Sequence, residues 1–405
     1  MVWPMVVALL VSVQTVDYLA DGMKALEANK YEEAAQLFLK AVEAEPKDYG
    51  AQFHLALAYS LLGKDAEAIP VYRKVLELQP GLYEAELNLG IVLLREKHPA
   101  EAIPYLKAAT EKKPKEFRAV FHLATAAFRS GDWVKAEKSY RTSCELDPKS
   151  GDAEVGLGRA LVQQGRIAEG VEHINKAAAL DPALRHALLE AAQRYELQKQ
   201  NVEAIAIYEQ FPENIGARER AGMLYLATGR PAEAIPHLEF AVGKSPTPAN
   251  RVALGQAYLR AGKKELALPV VTQALAEDPN NTDLLMMHGR VLRDLTRYPE
   301  AAKEFYAVTR ATPNSAIAWS ELAGVLMLME NYQQALAALD KVRELGAENA
   351  AHFFFRAIIL DKGRLLEPAL ENYQKFLSLS DGKHPDEEFK ARQRVRIIKR
   401  QLERR

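Results

Sequence analysis

The chain has one cysteine, Cys144, in 405 residues. A single thiol closes no intramolecular disulfide and builds no cysteine-based zinc site. We read it as a small buried hydrophobe. An excess of one charge is also missing, since 53 basic and 54 acidic residues leave a formal net charge of -1. General nucleic-acid binding needs a basic surface to displace phosphate counterions, so this balance argues against it. The nine histidines are scattered, with no His-Glu-x-x-His run and no Cys/His cluster. No Walker phosphate loop, no Gly-x-Gly-x-x-Gly after a strand and no Gly-x-Ser-x-Gly elbow occurs. The sequence therefore offers no catalytic residue, no metal ligand and no cofactor site, and we read the protein as not an enzyme.

The apolar run from Met1 to Val13 is about a dozen residues, short of the roughly 20 that span a bilayer. Two readings stand. Its apolar core and the small side chains of Val11-Ser12-Val13 fit an export signal over residues 1–14, which favours an exported or periplasmic chain over a cytoplasmic one. Against that, no Lys or Arg precedes the run, and an apolar lead-in packed on the first folded unit of the chain fits as well.

What is present is a period. Pro46, Pro80, Pro114, Pro148 and Pro182 stand 34 residues apart, and Pro212, Pro246, Pro279 and Pro313 continue the series. Proline lacks an N–H and clashes with the preceding turn, so each one stops a helix. Units start at Thr15, Tyr49, Tyr83, Phe117, Gly151, Arg185, Ile215, Pro248, Thr282, Ala316 and Ala350. Their eighth residues are all Gly or Ala, from Gly22 and Ala56 to Ala323 and Ala357. Their twentieth are Ala throughout except Gly170, and their twenty-fourth are bulky, as in Phe38, Tyr72, Leu106 and Phe305. Within a unit, apolar residues recur at helical spacing in two stretches. Small residues let two antiparallel helices approach where they cross, and the bulky residue fills the adjoining gap. Gly63, Gly131, Gly165, Gly229 and Gly262 mark the turns between helices.

This pattern resembles the tetratricopeptide repeat, W-x2-L-G-x2-Y, then A-x3-F, then P. Trp319, Leu322, Ala323, Ala335 and Leu339 carry it in one unit; Leu254, Gly255, Tyr258, Ala267 and Pro279 carry it in another. The resemblance implies an all-α fold: a right-handed superhelical α-solenoid of about eleven helix-turn-helix repeats, with a capping helix at the C-terminus. Residues 15–212 hold six repeats, and 213–381 hold five. The sixth meets Pro212 four residues early, which predicts a shortened second helix and either a hinge or a tolerated deletion. Segment 382–405 is basic and amphipathic, with Val395, Ile398 and Leu402 on one face. It reads as a polar-backed cap or as a contact for an anionic surface such as lipid headgroups or nucleic acid.

In this family the first helices line a concave groove. The resemblance places Phe53, Leu57, Leu87, Asn88, Ile91, Arg95, Arg118, Phe121, Phe128 and Arg129 in it, an apolar floor with arginine beside it. Inter-repeat packing is the competing reading of the same stripe. Some relatives grip acidic chaperone tails with Lys, Asn, Asn, Lys and Arg. Here the matching positions hold Phe53, Leu57, Asn88, Arg118 and His122, so that ligand is not expected. Gln256, Arg260, Arg290 and Arg293 form a second, more polar candidate patch. The expected function is a protein-interaction scaffold for a peptide or partner protein. The alternative, by family analogy alone, is an exported accessory factor for envelope or polysaccharide machinery.

Overall fold

A computed structural model describes residues 17–382 and 384–403. The candidate signal at 1–14 lies outside the described residues. These residues form 23 α-helices and no strand. Unit by unit, the antiparallel pairs are α1 (Tyr18–Glu27) with α2 (Tyr31–Ala44), α3 (Tyr49–Leu61) with α4 (Asp65–Leu78), and α5 (Tyr83–Arg95) with α6 (Pro99–Lys112). Next come α7 (Phe117–Arg129) with α8 (Trp133–Leu146) and α9 (Gly151–Gln163) with α10 (Ile167–Leu180). The sixth repeat opens with a 3-10 turn, Pro182–Ala187, before α11 (Leu188–Leu197) and α12 (Asn201–Tyr208). Then come α13 (Ile215–Ala227) with α14 (Pro231–Lys244), α15 (Pro248–Arg260) with α16 (Lys264–Glu277), and α17 (Thr282–Asp294) with α18 (Tyr298–Ala311). The last pairs are α19 (Ala316–Leu328) with α20 (Tyr332–Glu344) and α21 (Ala350–Lys362) with α22 (Leu366–Leu379), and α23 (Pro385–Glu403) is the last helix. The helices gather into two compact units that divide between Ile207 and Tyr208. That division falls in α12, which has 8 residues where α10 has 14.

The small-residue rule has a direct geometric cause. A Cβ added to Gly22, Gly222 or Gly289 would sit 2.6 Å from the ring or branch of Phe38, Leu238 or Phe305. At Gly90 it would sit 2.4 Å from Leu106. In each case the eighth residue of a repeat meets the twenty-fourth of the same repeat. Gly158 and Gly170 bring two backbones together, each Cβ position lying within 2.7 Å of the other's carbonyl oxygen. The twentieth alanines, Ala34, Ala68, Ala102 and Ala136, are wholly buried at the same crossings.

The turns obey a stricter rule than their glycines suggest. The fifteenth residue of every repeat has positive φ, between 56° at Arg364 and 83° at Gly165. Five are Gly; the others are Asn29, Lys97, Lys199, Thr296, Glu330 and Arg364. Each turn carries the same two bonds, for example Lys97 N–H to Leu94 O at 3.2 Å and His98 N–H to Leu93 O at 2.8 Å. This is a Schellman ending, which satisfies carbonyls that the first helix leaves unpaired. Proline, by contrast, does not always punctuate. Pro70, Pro104, Pro236 and Pro269 lie inside second helices, each about one and a half turns from the start.

Two outcomes test this packing by denaturant unfolding. Gly90→Ala forces Leu106 aside and is expected to lose about 1–3 kcal/mol, the cost of overpacking. Thr296→Gly relieves a β-branched residue in the left-handed region and is expected to gain about 0.5–1 kcal/mol. Equal stability of Gly90→Ala and the parent chain would show that the helix pair can open at the crossing.

Candidate binding grooves

In the first unit, α5, α7 and α9 line a cavity of about 480 Å3. Its floor is Ile91, Leu94, Phe121, Phe128 and Val155; its polar edge is Arg95, His122, Thr125, Arg129, Asp152 and Arg159. The floor is ordered by its own rings. Phe121 stacks on Phe117 at 5.4 Å, meets His122 edge-on at 5.5 Å and meets Tyr140 edge-on at 5.9 Å. The Tyr140 hydroxyl lies 3.2 Å from Thr125 Oγ1.

The arginines do different work from one another. Arg95 Nη2 donates to Ser60 Oγ and to Asp65 Oδ1, each at 2.6 Å. Arg129 Nη1 donates to the Leu94 carbonyl at 2.8 Å. In the second unit Arg260 does the same to Leu226 at 3.0 Å. All three are thirteenth residues that cap the first helix of the preceding repeat. Arg159 pairs with Glu190 at 2.6 Å. Arg118 is exposed and makes no ion pair among the described residues. Burial lowers the His122 pKa to about 4, and the charges of Arg118, Arg129 and Arg95 add to the effect. His122 is therefore neutral near pH 7, in a groove whose surplus charge is positive.

Of the residues expected from sequence in this groove, Ile91, Arg95, Phe121, Phe128 and Arg129 line the cavity. Phe53 and Leu57 belong to the repeat before it; Phe53 packs on His54 and Tyr72 instead. Leu87 is only 4% exposed and belongs to the core. Asn88, half-buried, and Arg118, exposed, stand outside the lining, Arg118 four residues before His122 on α7. The expected lining ended at the fourth repeat and so missed Asp152, Val155 and Arg159. They occupy the second, fifth and ninth places of the next repeat, the places that Arg118, Phe121 and Thr125 hold in the fourth.

The second unit has two grooves. One, about 990 Å3, includes Gln256, Arg260, Arg290, Met286 and Met287. The other, about 690 Å3, is walled by Ile317, Met327, Leu328, Phe355 and Ile358, with Arg293 at its edge. Here too the arginines are engaged. Arg290 Nε donates to Glu321 Oε1 at 2.6 Å, and Arg293 takes the other carboxylate oxygen. The polar patch expected at Gln256, Arg260, Arg290 and Arg293 thus consists largely of ties between repeats. Beside it Gly324 opens the apolar groove. A Cβ there would meet nothing within 4 Å, as at Gly243 near the end of α14, whereas at Gly22, Gly90, Gly156, Gly158, Gly170, Gly222, Gly255 and Gly289 it would meet an atom within 3 Å.

The tetratricopeptide-repeat profile matches residues 19–83, 87–151, 155–216, 219–282 and 286–350, well over half of the chain. The chain belongs to the tetratricopeptide-repeat family. A human relative, protein O-mannosyl-transferase TMTC1, is 26% identical over 131 residues. The match takes in 31% of this chain and spans only 15% of the relative's length. Among solved structures, a MamA fragment from Desulfovibrio magneticus RS-1 is 26% identical, covering 41% of this chain and 94% of its own, with TM-score 0.39. YrrB, described as a TPR protein with an unusual peptide-binding site, is 23% identical, covering 43% of this chain and 89% of its own, with TM-score 0.41. The tetratricopeptide fold is typically a non-catalytic scaffold for protein partners. Among the described residues no group of His, Cys, Asp and Glu could hold a metal, and no helix is long and apolar enough to cross a membrane. The lone thiol, Cys144, is half-buried, and its pKa is pushed up to about 12 by burial.

The histidines set a pH dependence. His54, His122, His237 and His352 are all held below the ordinary imidazole pKa, chiefly by burial. The unfolded chain takes up protons below about pH 6.5 while the folded chain does not, so stability falls as pH drops from there towards 4. For His122 the loss is at most about 3 kcal/mol. In urea unfolding at pH 7 and pH 4.5, His122→Gln is expected to lose less stability on acidification than the parent chain. An identical loss in both would show that His122 has no part in the acid response.

Proposed function

We propose that this protein is a non-catalytic scaffold whose first-unit groove holds an acidic peptide segment with one or two large apolar side chains. The observation that carries the reading is the environment of His122. The charges of Arg118, Arg129 and Arg95 all act on it, Arg118 at the edge of the cavity's helix α7 has no carboxylate partner among the described residues, and Phe121 and Phe128 line the same cavity as His122. The floor offers Phe121 and Phe128, both half-buried, to an apolar anchor. A carboxylate above it finds Arg118 free and His122 able to act as a neutral hydrogen-bond partner. A groove lined by several parallel helices suits an extended or helical peptide rather than a small molecule.

The engagement of Arg95 and Arg129 sharpens the reading. They fix the helices that carry the floor, so the specificity-giving cation is Arg118. Selection of random displayed dodecapeptides on the full chain is expected to enrich sequences that pair acidic with aromatic or aliphatic residues. Arg118→Glu sits at an exposed position, leaves the fold intact, and is expected to weaken those peptides by roughly tenfold or more, since a charge-assisted contact is lost and repulsion gained. Enrichment of basic peptides, or equal binding by Arg118→Glu, would defeat the proposal.

A further inference from the structure

We infer that the outer face of α23 docks on an anionic membrane surface. This helix has two faces with different tasks. On the inner face Ala391 and Ile398 are buried, and Val395 and Leu402 pack with the core around Tyr373 and Phe376. One of its arginines ties the helix to α21, and another pairs within the helix. Arg394 forks onto Asp361 with both bonds at 2.6 Å, and Arg392 pairs with Glu388 at 2.6 Å.

The outer face is built otherwise. Lys390, Arg396, Lys399 and Arg400 are exposed and make no ion pair among the described residues. The acidic residues of the helix stand at its ends, Asp386, Glu387 and Glu388 in the first turn and Glu403 in the last. Among the cations, Phe389 is 64% exposed and Ile397 is 41% exposed. They are two turns apart on one side of the helix, about 12 Å along its axis. A cap needs only a polar back, and mixed charge would supply it. Four like charges placed together, with a phenyl ring left in water between them, are costly unless a surface accepts both. An anionic bilayer does, because headgroup charge attracts the cations while the ring and the isoleucine enter the acyl boundary. A phosphodiester backbone would satisfy the charges and leave Ile397 unexplained. The surface belongs to the second unit, and the inference does not depend on the reading of the groove in the first.

Co-sedimentation of the full chain with vesicles tests the inference. Vesicles of phosphatidylcholine with about a third phosphatidylglycerol are expected to carry the protein down, and pure phosphatidylcholine vesicles are not. Binding is expected to vanish at about 0.5 M salt, where charge is screened within roughly 4 Å. Arg396→Glu with Arg400→Glu is expected to weaken binding by more than roughly tenfold. Phe389→Ser with Ile397→Ser, which leaves every charge in place, is expected to weaken it as well. All four positions face solvent, and circular dichroism checks that the helix is kept. The variants retain residues 1–16, so attachment through that segment would be indifferent to them and would overturn the inference. Equal binding to neutral vesicles, or no binding to either, would also overturn it. So would tight capture of a single-stranded oligonucleotide by a chain that ignores the vesicles.

Discussion

The close approach of two helices inside each repeat is the constraint on which everything else rests. Where the eighth residue is glycine, the twenty-fourth side chain lies so near that even a methyl group has no room. That contact sets the distance between the paired helices. The distance in turn sets how the next pair can stack, because each repeat offers its neighbour a surface already fixed by its own crossing. Repeats with alanine at the eighth place almost always carry tyrosine at the twenty-fourth, as in Ala56 with Tyr72 and Ala124 with Tyr140. In the fourth repeat this tyrosine also lines the groove, where the Tyr140 hydroxyl stands beside Thr125. The packing rule thus reaches the lining of the candidate site.

The stacking of repeats leaves helix ends unpaired, and the chain resolves them in two ways. Every first helix closes on a left-handed residue, whatever the side chain. Non-glycine residues there cost backbone strain, and they stand at exposed turns where a long polar side chain has room. Between repeats, Arg95, Arg129 and Arg260 donate across to the end of the preceding first helix. Glu321 gathers Arg290 and Arg293 in the same manner. These charged side chains beside the grooves are therefore first of all fasteners between repeats. A ligand finds only what the fasteners leave over.

These local rules explain what was legible in the sequence. The period, the helix pairs, the crossing residues and the terminal helix all come from spacing and residue size, which act locally and repeat. The glycines reported five of the eleven turns, because glycine is the favoured but not the required occupant of a left-handed turn. Thr296 and Lys97 give no local sign of their conformation; only their place in the period does. The groove was partly legible. Ile91, Phe121 and Phe128 come from position, but the pairing of Arg290 with Glu321, 31 residues later, depends on how neighbouring repeats stack. Leu87 was misplaced for the same reason, since an apolar residue on the groove side can belong to the neighbour's core.

Gly324 shows what the chain does where the packing rule is silent. Glycine inside a helix costs about 1 kcal/mol relative to alanine, and at Gly22, Gly90, Gly158, Gly222, Gly255 and Gly289 a tight crossing compels it. At Gly324 nothing compels it, and the absent side chain deepens a groove walled by Ile317, Leu328, Phe355 and Ile358. The first-unit groove has no such notch; its ninth places hold Ile91, Thr125 and Arg159. The two units therefore differ in what they leave open. One offers an aromatic floor near an exposed arginine that makes no ion pair among the described residues, and the other an apolar recess whose nearby charges are already matched. The residues that distinguish the grooves lie outside the framework that all repeats share, so the lining of one groove can change without loosening the helix crossings.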